Sequence, residues 1–283
     1  MPASITSLKN PRVKAAIQLR DRRHRRSAGR FLIDGVRELR RALEGGIEIE
    51  ELFVCPELCR EGETRETVRL AAQSAARAYD VSVSVCEKLA YGQRAEGVVA
   101  VAIAPRRTLA ELALPDAPLI AVVVGIEKPG NLGAIVRTAD GAGISAVVAA
   151  DGGTDLYNPN AIRASLGAIF TLPVCSADSR ETIDWLDRLN VNMVAACVDA
   201  DCDYWEIDYT LPTAIVLGSE DEGLPAEWRD RAGAQVRLPM RGRVDSLNVS
   251  ATAAVLYYEA LRQRSAAANP KSQITNNDQI SNL

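Results

Sequence analysis

Histidine is almost missing from this chain of 283 residues, which has one, His24. A mechanism built on an imidazole base, or on a serine activated by one, is therefore poorly supplied, because imidazole is the side chain whose ordinary pKa suits proton transfer near neutrality. His24 itself sits within Arg22-Arg23-His24-Arg25-Arg26, the setting of a solvated or polyanion-facing side chain. The six cysteines, Cys55, Cys59, Cys86, Cys175, Cys197 and Cys202, form no paired C-x2-C spacing, so a zinc site would lack ligands and no metal is expected. Free, mostly buried thiols in a reducing compartment are the expectation instead. Apolar runs fall short of the roughly 18 residues that a membrane span needs, and the opening Pro, Ser, Thr and Lys residues make no apolar signal core. The expected location is the cytoplasm, with no membrane partner.

What is present suits ordinary globular cores: 47% of the residues are apolar, and the length allows one large or two medium domains. Net charge is −4, which alone speaks against a nucleic-acid partner, yet its distribution is lopsided. Residues 1–41 hold twelve Lys or Arg and three Asp or Glu. That excess predicts a basic N-terminal arm that meets polyanions, with Arg12, Lys14, Arg22, Arg23, Arg25, Arg26 and Arg30 as its contacts. A merely solvated amphipathic helix is the plainer reading of the same residues.

Apolar spacing predicts a helix over 11–26, a strand over 30–33, a helix over 35–43 stopped by Gly45-Gly46, and a strand over 49–54. An Ala-rich helix over 64–79 and strands over 81–85 and 98–103 complete an α/β domain set at 1–104. Prolines bracket 105–118, which reads as a linker. A second α/β domain is expected over 119–265, with strands near 119–124, 145–149, 193–198, 213–218 and 234–239, and helices near 131–142, 160–169, 179–190 and 248–263. Residues 266–283, rich in Asn, Ser, Gln and Ala, read as a disordered tail.

Three stretches stand out within the second domain. Leu119 to Val124 runs into Lys128-Pro129-Gly130-Asn131-Leu132-Gly133, then Arg137, a Gly-rich turn and helix start suited to anions or close backbone approach. Ala214 to Leu217 runs into the glycine-bounded polar loop Gly218-Ser219-Glu220-Asp221-Glu222-Gly223-Leu224-Pro225. The strand near Val236 runs through Pro239, Met240 and Gly242 into Ser246-Leu247-Asn248-Val249-Ser250, whose side chains are of the kind that cap a helix. Each puts polar groups at the carboxyl end of a strand, where open α/β sheets hold their ligands.

Together these stretches resemble the three ordered motifs of the SpoU-type RNA 2′-O-ribose methyltransferases of the SPOUT superfamily, and Asn160 through Ala168, with Arg163, is similar to the segment that follows the first. Ser219 and Asp221 depart slightly, standing where an amide and a small residue are common. The resemblance implies an α/β fold whose C-terminal SPOUT domain ties a deep trefoil knot around a mainly parallel sheet. S-adenosylmethionine is the implied cofactor, held by Leu217, Gly218, Glu220, Gly223, Leu238, Met240, Ser246, Leu247 and Asn248. Asn131, Arg137, Glu220, Ser246 and Asn248 are the implied catalytic set, and Arg163 joins the RNA contacts. A guanidinium yields its proton only in an unusual setting, so Arg137 reads better as a clamp on phosphate and hydroxyl than as a base.

The resemblance also implies a homodimer built on the last helix. Asn10-Pro11-Arg12-Val13-Lys14 and Gly29 through Gly35 are similar to the ribosomal-protein-like α/β module of ribosomal-RNA methyltransferases, including some that confer antibiotic resistance. That similarity favours 23S ribosomal RNA as partner and substrate. A transfer-RNA 2′-O-methyltransferase, or a SPOUT protein that binds RNA without activity, are the alternatives. A Rossmann oxidoreductase would need a G-x-G-x-x-G turn after a strand, and the first motif has none.

Overall fold

The computed structural model describes residues 3–59, 62–91, 95–152 and 155–268. Contacts divide the chain into two compact units: Met1–Arg107 with Lys128–Arg137 and Thr154–Leu172, and Thr108–Glu127 with Thr138–Gly153 and Pro173–Leu283.

The first hundred residues run β1 (Ala3–Ile5), α1 (Pro11–Gln18), α2 (Arg22–Ala28), β2 (Arg30–Asp34), α3 (Val36–Glu44), β3 (Ile49–Val54), α4 (Gly62–Ser74), β4 (Arg77–Val81), α5 (Val83–Leu89) and β5 (Val98–Ile103). The strands form one sheet in the order β1-β4-β3-β5-β2, with β5 antiparallel to both its neighbours. Three sequence expectations are corrected here. The helix expected over 11–26 is two helices, because Asp21 turns the chain and its carboxylate caps α2 by accepting from the Arg23 and His24 amides. The helix expected over 64–79 stops at Ser74, since Arg77–Val81 is taken into the sheet between β1 and β3. The strand expected over 81–85 is instead the start of α5, whose cap is Ser82. Val13, Ala16 and Leu19 bury the inner face of the basic arm against Leu32, Phe53 and Val101.

The rest of the chain runs β6 (Leu119–Val124), α6 (Pro129–Ala142), β7 (Ala146–Ala150), α7 (Pro159–Ala164), α8 (Ala168–Thr171), β8 (Val174–Ala177), α9 (Ser179–Arg188), β9 (Asn192–Ala196), β10 (Cys202–Asp203), β11 (Thr213–Leu217), α10 (Ala226–Arg231), β12 (Ala234–Arg237) and α11 (Val249–Ala268). Its seven-stranded sheet, ordered β10-β12-β9-β11-β6-β7-β8, is parallel at every described ladder. Strands buried on both faces read as continuous apolar runs, as β6, β7 and β11 do. The stretch 105–118, expected as a linker, sends Leu109 and Leu112 into this unit's core. The helix expected to end at 263 continues through Ala268, held by Gln263 and Arg264. Arg264 donates to the carbonyls of Tyr209, Ala117, Pro118 and Leu211. Residues 269–283, the remainder of the expected tail, lie outside the described residues.

In the first unit α7 and α8 pack on the N-terminal module. Phe31 of β2 stacks on Tyr157 at 4.5 Å and on Phe170 at 5.8 Å between ring centroids. The small-residue face of α6 meets α7 so closely that a Cβ at Gly133 would lie 2.4 Å from the Ala161 carbonyl oxygen and 2.6 Å from the Ala164 Cβ.

Candidate active site

In the second unit, β11 ends at Leu217 and opens into a loop that closes on itself. Ser219 and Gly223 exchange both backbone hydrogen bonds, at 3.2 and 3.1 Å, and Ser219 Oγ accepts from the Glu222 amide. Gly223 has φ 69°, a conformation that costs glycine little. Gly218 is required by space: a Cβ there would stand 2.3 Å from the Gly223 carbonyl and 2.5 Å from the Leu224 amide. So tight a loop leaves Glu220, Asp221 and Glu222 exposed.

Asn248 supplies the next part. As the cap of α11 its Oδ1 accepts from the Ser250 amide at 3.0 Å and from Ser250 Oγ at 2.6 Å, while its Nδ2 donates to Glu220 Oε1. This pattern of partners is what assigns the amide's orientation. One side chain thereby joins the second and third motifs.

Between these segments lies a cleft of about 450 Å³. Leu217, Gly218, Glu220 and Gly223 line it, as do Leu238, Met240, Ser246 and Leu247. Of the residues expected to hold cofactor, Asn248 alone does not line it and instead donates to Glu220, which does. Sequence reasoning missed the loop after β9, where Cys197, Val198 and Asp199 line the cleft, and Arg229 of α10. Arg229 donates to Asp199 Oδ2 at 2.7 Å, and that bond holds the Asp199 carboxyl below its usual pKa. Burial pushes the Cys197 thiol up, so it packs as a neutral group. The signal for this loop was available: β9 ends at the same carboxyl edge, where ligands of parallel sheets gather.

The other expected catalytic residues belong to the first unit, on α6. Asn131 is half-buried near the helix start and Arg137 is exposed, more than a turn further along. Arg163 of α7 is also exposed, 3.9 Å from Asp34 at its closest oxygen. Among the expected RNA contacts, Lys14, Arg22, Arg23 and Arg26 are exposed, while Arg12 pairs with Glu51 and Arg30 with Glu50. Arg25 is a correction. It is 4% exposed, its Nε donates to Asp155 at 2.6 Å, and its Nη1 donates to the carbonyls of Leu19 and Arg20. That guanidinium is buried against the segment before α7 and fastens the arm to it.

A parallel sheet whose carboxyl edge carries a closed glycine loop, a capped helix and a shared cleft defines an α/β protein with its ligand site at that edge. Residues 118–258 match the SpoU rRNA Methylase family model, and residues 10–100 match the MRM3-like substrate binding domain. The 23S rRNA (uridine(2479)-2′-O)-methyltransferase of Streptomyces viridochromogenes is 32% identical over 253 residues, 87% of each chain. A solved RNA 2′-O ribose methyltransferase is 47% identical with a TM-score of 0.80, over 92% of this chain and 99% of that one. An AdoMet-bound rRNA methyltransferase from Sinorhizobium meliloti is 29% identical with a TM-score of 0.82, over 92% and 97%. The chain belongs to the SpoU rRNA methylase family.

The cleft's own chemistry suits S-adenosylmethionine. Its volume is within the range of small-molecule pockets. Leu217, Leu238, Met240 and Leu247 offer apolar surface for a base, while carboxylates of Glu220, Asp221, Glu222 and Asp245 suit a ligand with a sulfonium and an ammonium.

Proposed function

We propose that this chain moves a methyl group from S-adenosylmethionine to a ribose 2′-hydroxyl of 23S ribosomal RNA. The observation that carries the reading is the cleft in which the second and third motifs meet through Glu220 and Asn248. The 23S specificity leans on what the Streptomyces viridochromogenes relative acts on, and on the N-terminal match to a substrate binding domain.

The cofactor supplies an electrophilic methyl on sulfur, and the residues of the chain do the rest. Glu220, oriented by the Asn248 amide, and Ser246 hold the polar end of the cleft. Arg137 and Asn131 grip the substrate: the planar guanidinium takes a phosphate and the neighbouring hydroxyl together, favouring the alkoxide that develops as the O–H proton passes to solvent water. Asn131 at the helix start offers an amide to the same ribose. A trefoil knot, a cytoplasmic location and a homodimer built on α11 complete the proposal, since Tyr258 is exposed on a helix that also buries Ala253, Leu256 and Tyr257. Light scattering at micromolar concentration tests the dimer, and a monomer mass would rule it out.

The deciding experiment incubates the chain with tritiated S-adenosylmethionine and, separately, 23S rRNA, 16S rRNA and bulk transfer RNA, then maps the labelled nucleotide by its resistance to alkaline cleavage. Label confined to a ribose of 23S rRNA is expected. Label on a base, or on transfer RNA alone, would overturn the reading.

A further inference from the structure

The first unit contains a cleft of about 680 Å³ between the α1–α2 arm and the strands β2 to β5. Its charged residues are layered. Glu50 and Glu51 of β3 lie deep, 21% and 13% exposed, whereas Arg30, Arg12 and Arg77 around them are 46%, 43% and 56% exposed. Arg30 is gripped at two points by Glu50, Nε to Oε2 at 2.5 Å and Nη2 to Oε1 at 2.8 Å. Arg12 pairs with Glu51 while its guanidinium lies 5.1 Å from the Tyr79 ring centroid, and Arg77 approaches the same carboxylate at 3.9 Å.

A guanidinium carries five N–H donors in a fixed fork, so a carboxylate that occupies its inner edge leaves outer donors already ordered and facing water. Three such cations against two carboxylates leave the rim positive. Gln18 lines the same cleft and can read a base edge or a ribose; beside it Asn10, whose Oδ1 accepts from the Arg12 amide, still has its Nδ2 donors, and Ser27 Oγ, which donates to the His24 carbonyl, can still accept. The volume suits a small molecule or a single nucleotide better than a duplex.

We propose that this cleft receives one unpaired nucleotide of the substrate RNA, its phosphate held by the outer edges of Arg12, Arg30 and Arg77, with Glu50 and Glu51 fixing the guanidinium planes. The proposal rests on the RNA methyl-transfer reading and deepens it: Arg77, Glu50 and Glu51 enter the RNA site, and two acidic residues strengthen the recognition of a polyanion. A plain basic surface behaves in the opposite way, because removing a carboxylate from it improves binding of every RNA.

The test uses the full chain as wild type, as Glu50→Gln, and as the double variant Arg30→Gln/Arg77→Gln. Each is measured for affinity and methyl transfer on a 23S fragment that the wild type methylates, and for affinity to an unrelated single-stranded RNA of equal length. S-adenosylmethionine affinity serves as the check of folding. The double variant should raise the KM for the fragment about tenfold or more, the loss expected from hydrogen bonds to a charged group, with kcat within about twofold. Glu50→Gln should bind the unrelated RNA more tightly and the fragment more weakly. An unchanged KM in the double variant overturns the proposal, and so does Glu50→Gln tightening both RNAs alike. Failure of the underlying reading shows separately, as a wild type that binds S-adenosylmethionine and methylates no RNA.

Discussion

Asn248 does two things with one amide, capping α11 through Oδ1 and aligning Glu220 through Nδ2. The two roles separate by substitution. Asn248→Asp keeps a good capping oxygen but sets a second negative charge against Glu220. We expect its melting temperature to fall by no more than the roughly 2–4 °C that 1 kcal/mol represents in a protein of this size, with methyl transfer lost. Wild-type turnover in that variant would remove the pairing from the mechanism. For Arg137, the Ala variant should lose about 100- to 1000-fold in rate, the usual cost of deleting one preorganised electrostatic interaction, while cofactor affinity stays near normal. Arg137→Lys should rescue little, because an ammonium cannot hold phosphate and hydroxyl in one plane. A tritium-transfer assay decides, and more than about a third of wild-type turnover in the Ala variant would end the catalytic assignment.

The helix α6 is useful only if it sits where Asn131 and Arg137 need it, and Gly133 sets its distance from α7. With backbone of α7 2.4 Å from any added Cβ, Gly133→Ala must push the two helices apart. Overpacking of this kind typically costs about 1–3 kcal/mol. We therefore expect lower stability in thermal melts and a fall in kcat for RNA methylation, with S-adenosylmethionine affinity nearly unchanged because its expected holders lie on other elements. A variant with full activity would show that α6 tolerates displacement. The glycine was visible in the first motif, but its reason was not: the atoms it makes room for belong to residues 161–165, about thirty positions further along.

For the whole molecule, the basic arm changes meaning once its packing is known. Read as a sequence it is a basic arm that meets polyanions, yet β1 pairs with β4, and Val13, Ala16 and Leu19 are buried in the module's core. Arg25 is spent on Asp155, 130 residues away. Deleting residues 1–27 is thus expected to unfold the N-terminal module, seen as a loss of cooperativity in melting. Neutralising Lys14, Arg23 and Arg26 should instead leave the melt intact and make RNA binding less salt-dependent, by about 0.7 in log–log slope for each single-strand phosphate that is no longer neutralised. An unchanged slope would return these three residues to the category of solvated charge.

The sequence by itself determined the elements that carry the chemistry, because strand runs, glycine turns and helix caps are governed by interactions within a few residues. Leu217 to Leu224 and Leu238 to Asn248 were legible for that reason as strand ends, turns and a cap, while the residues that line the cleft were named only through the resemblance to the SpoU-type motifs. Only the tertiary structure decided which guanidinium meets which carboxylate, that residues 196–199 and Arg229 complete the cleft, and that Arg77 with Glu50 and Glu51 forms a second one. Such partners come from distant parts of the chain, and nothing in local spacing encodes a pairing that exists only after a sheet has chosen the order of its strands.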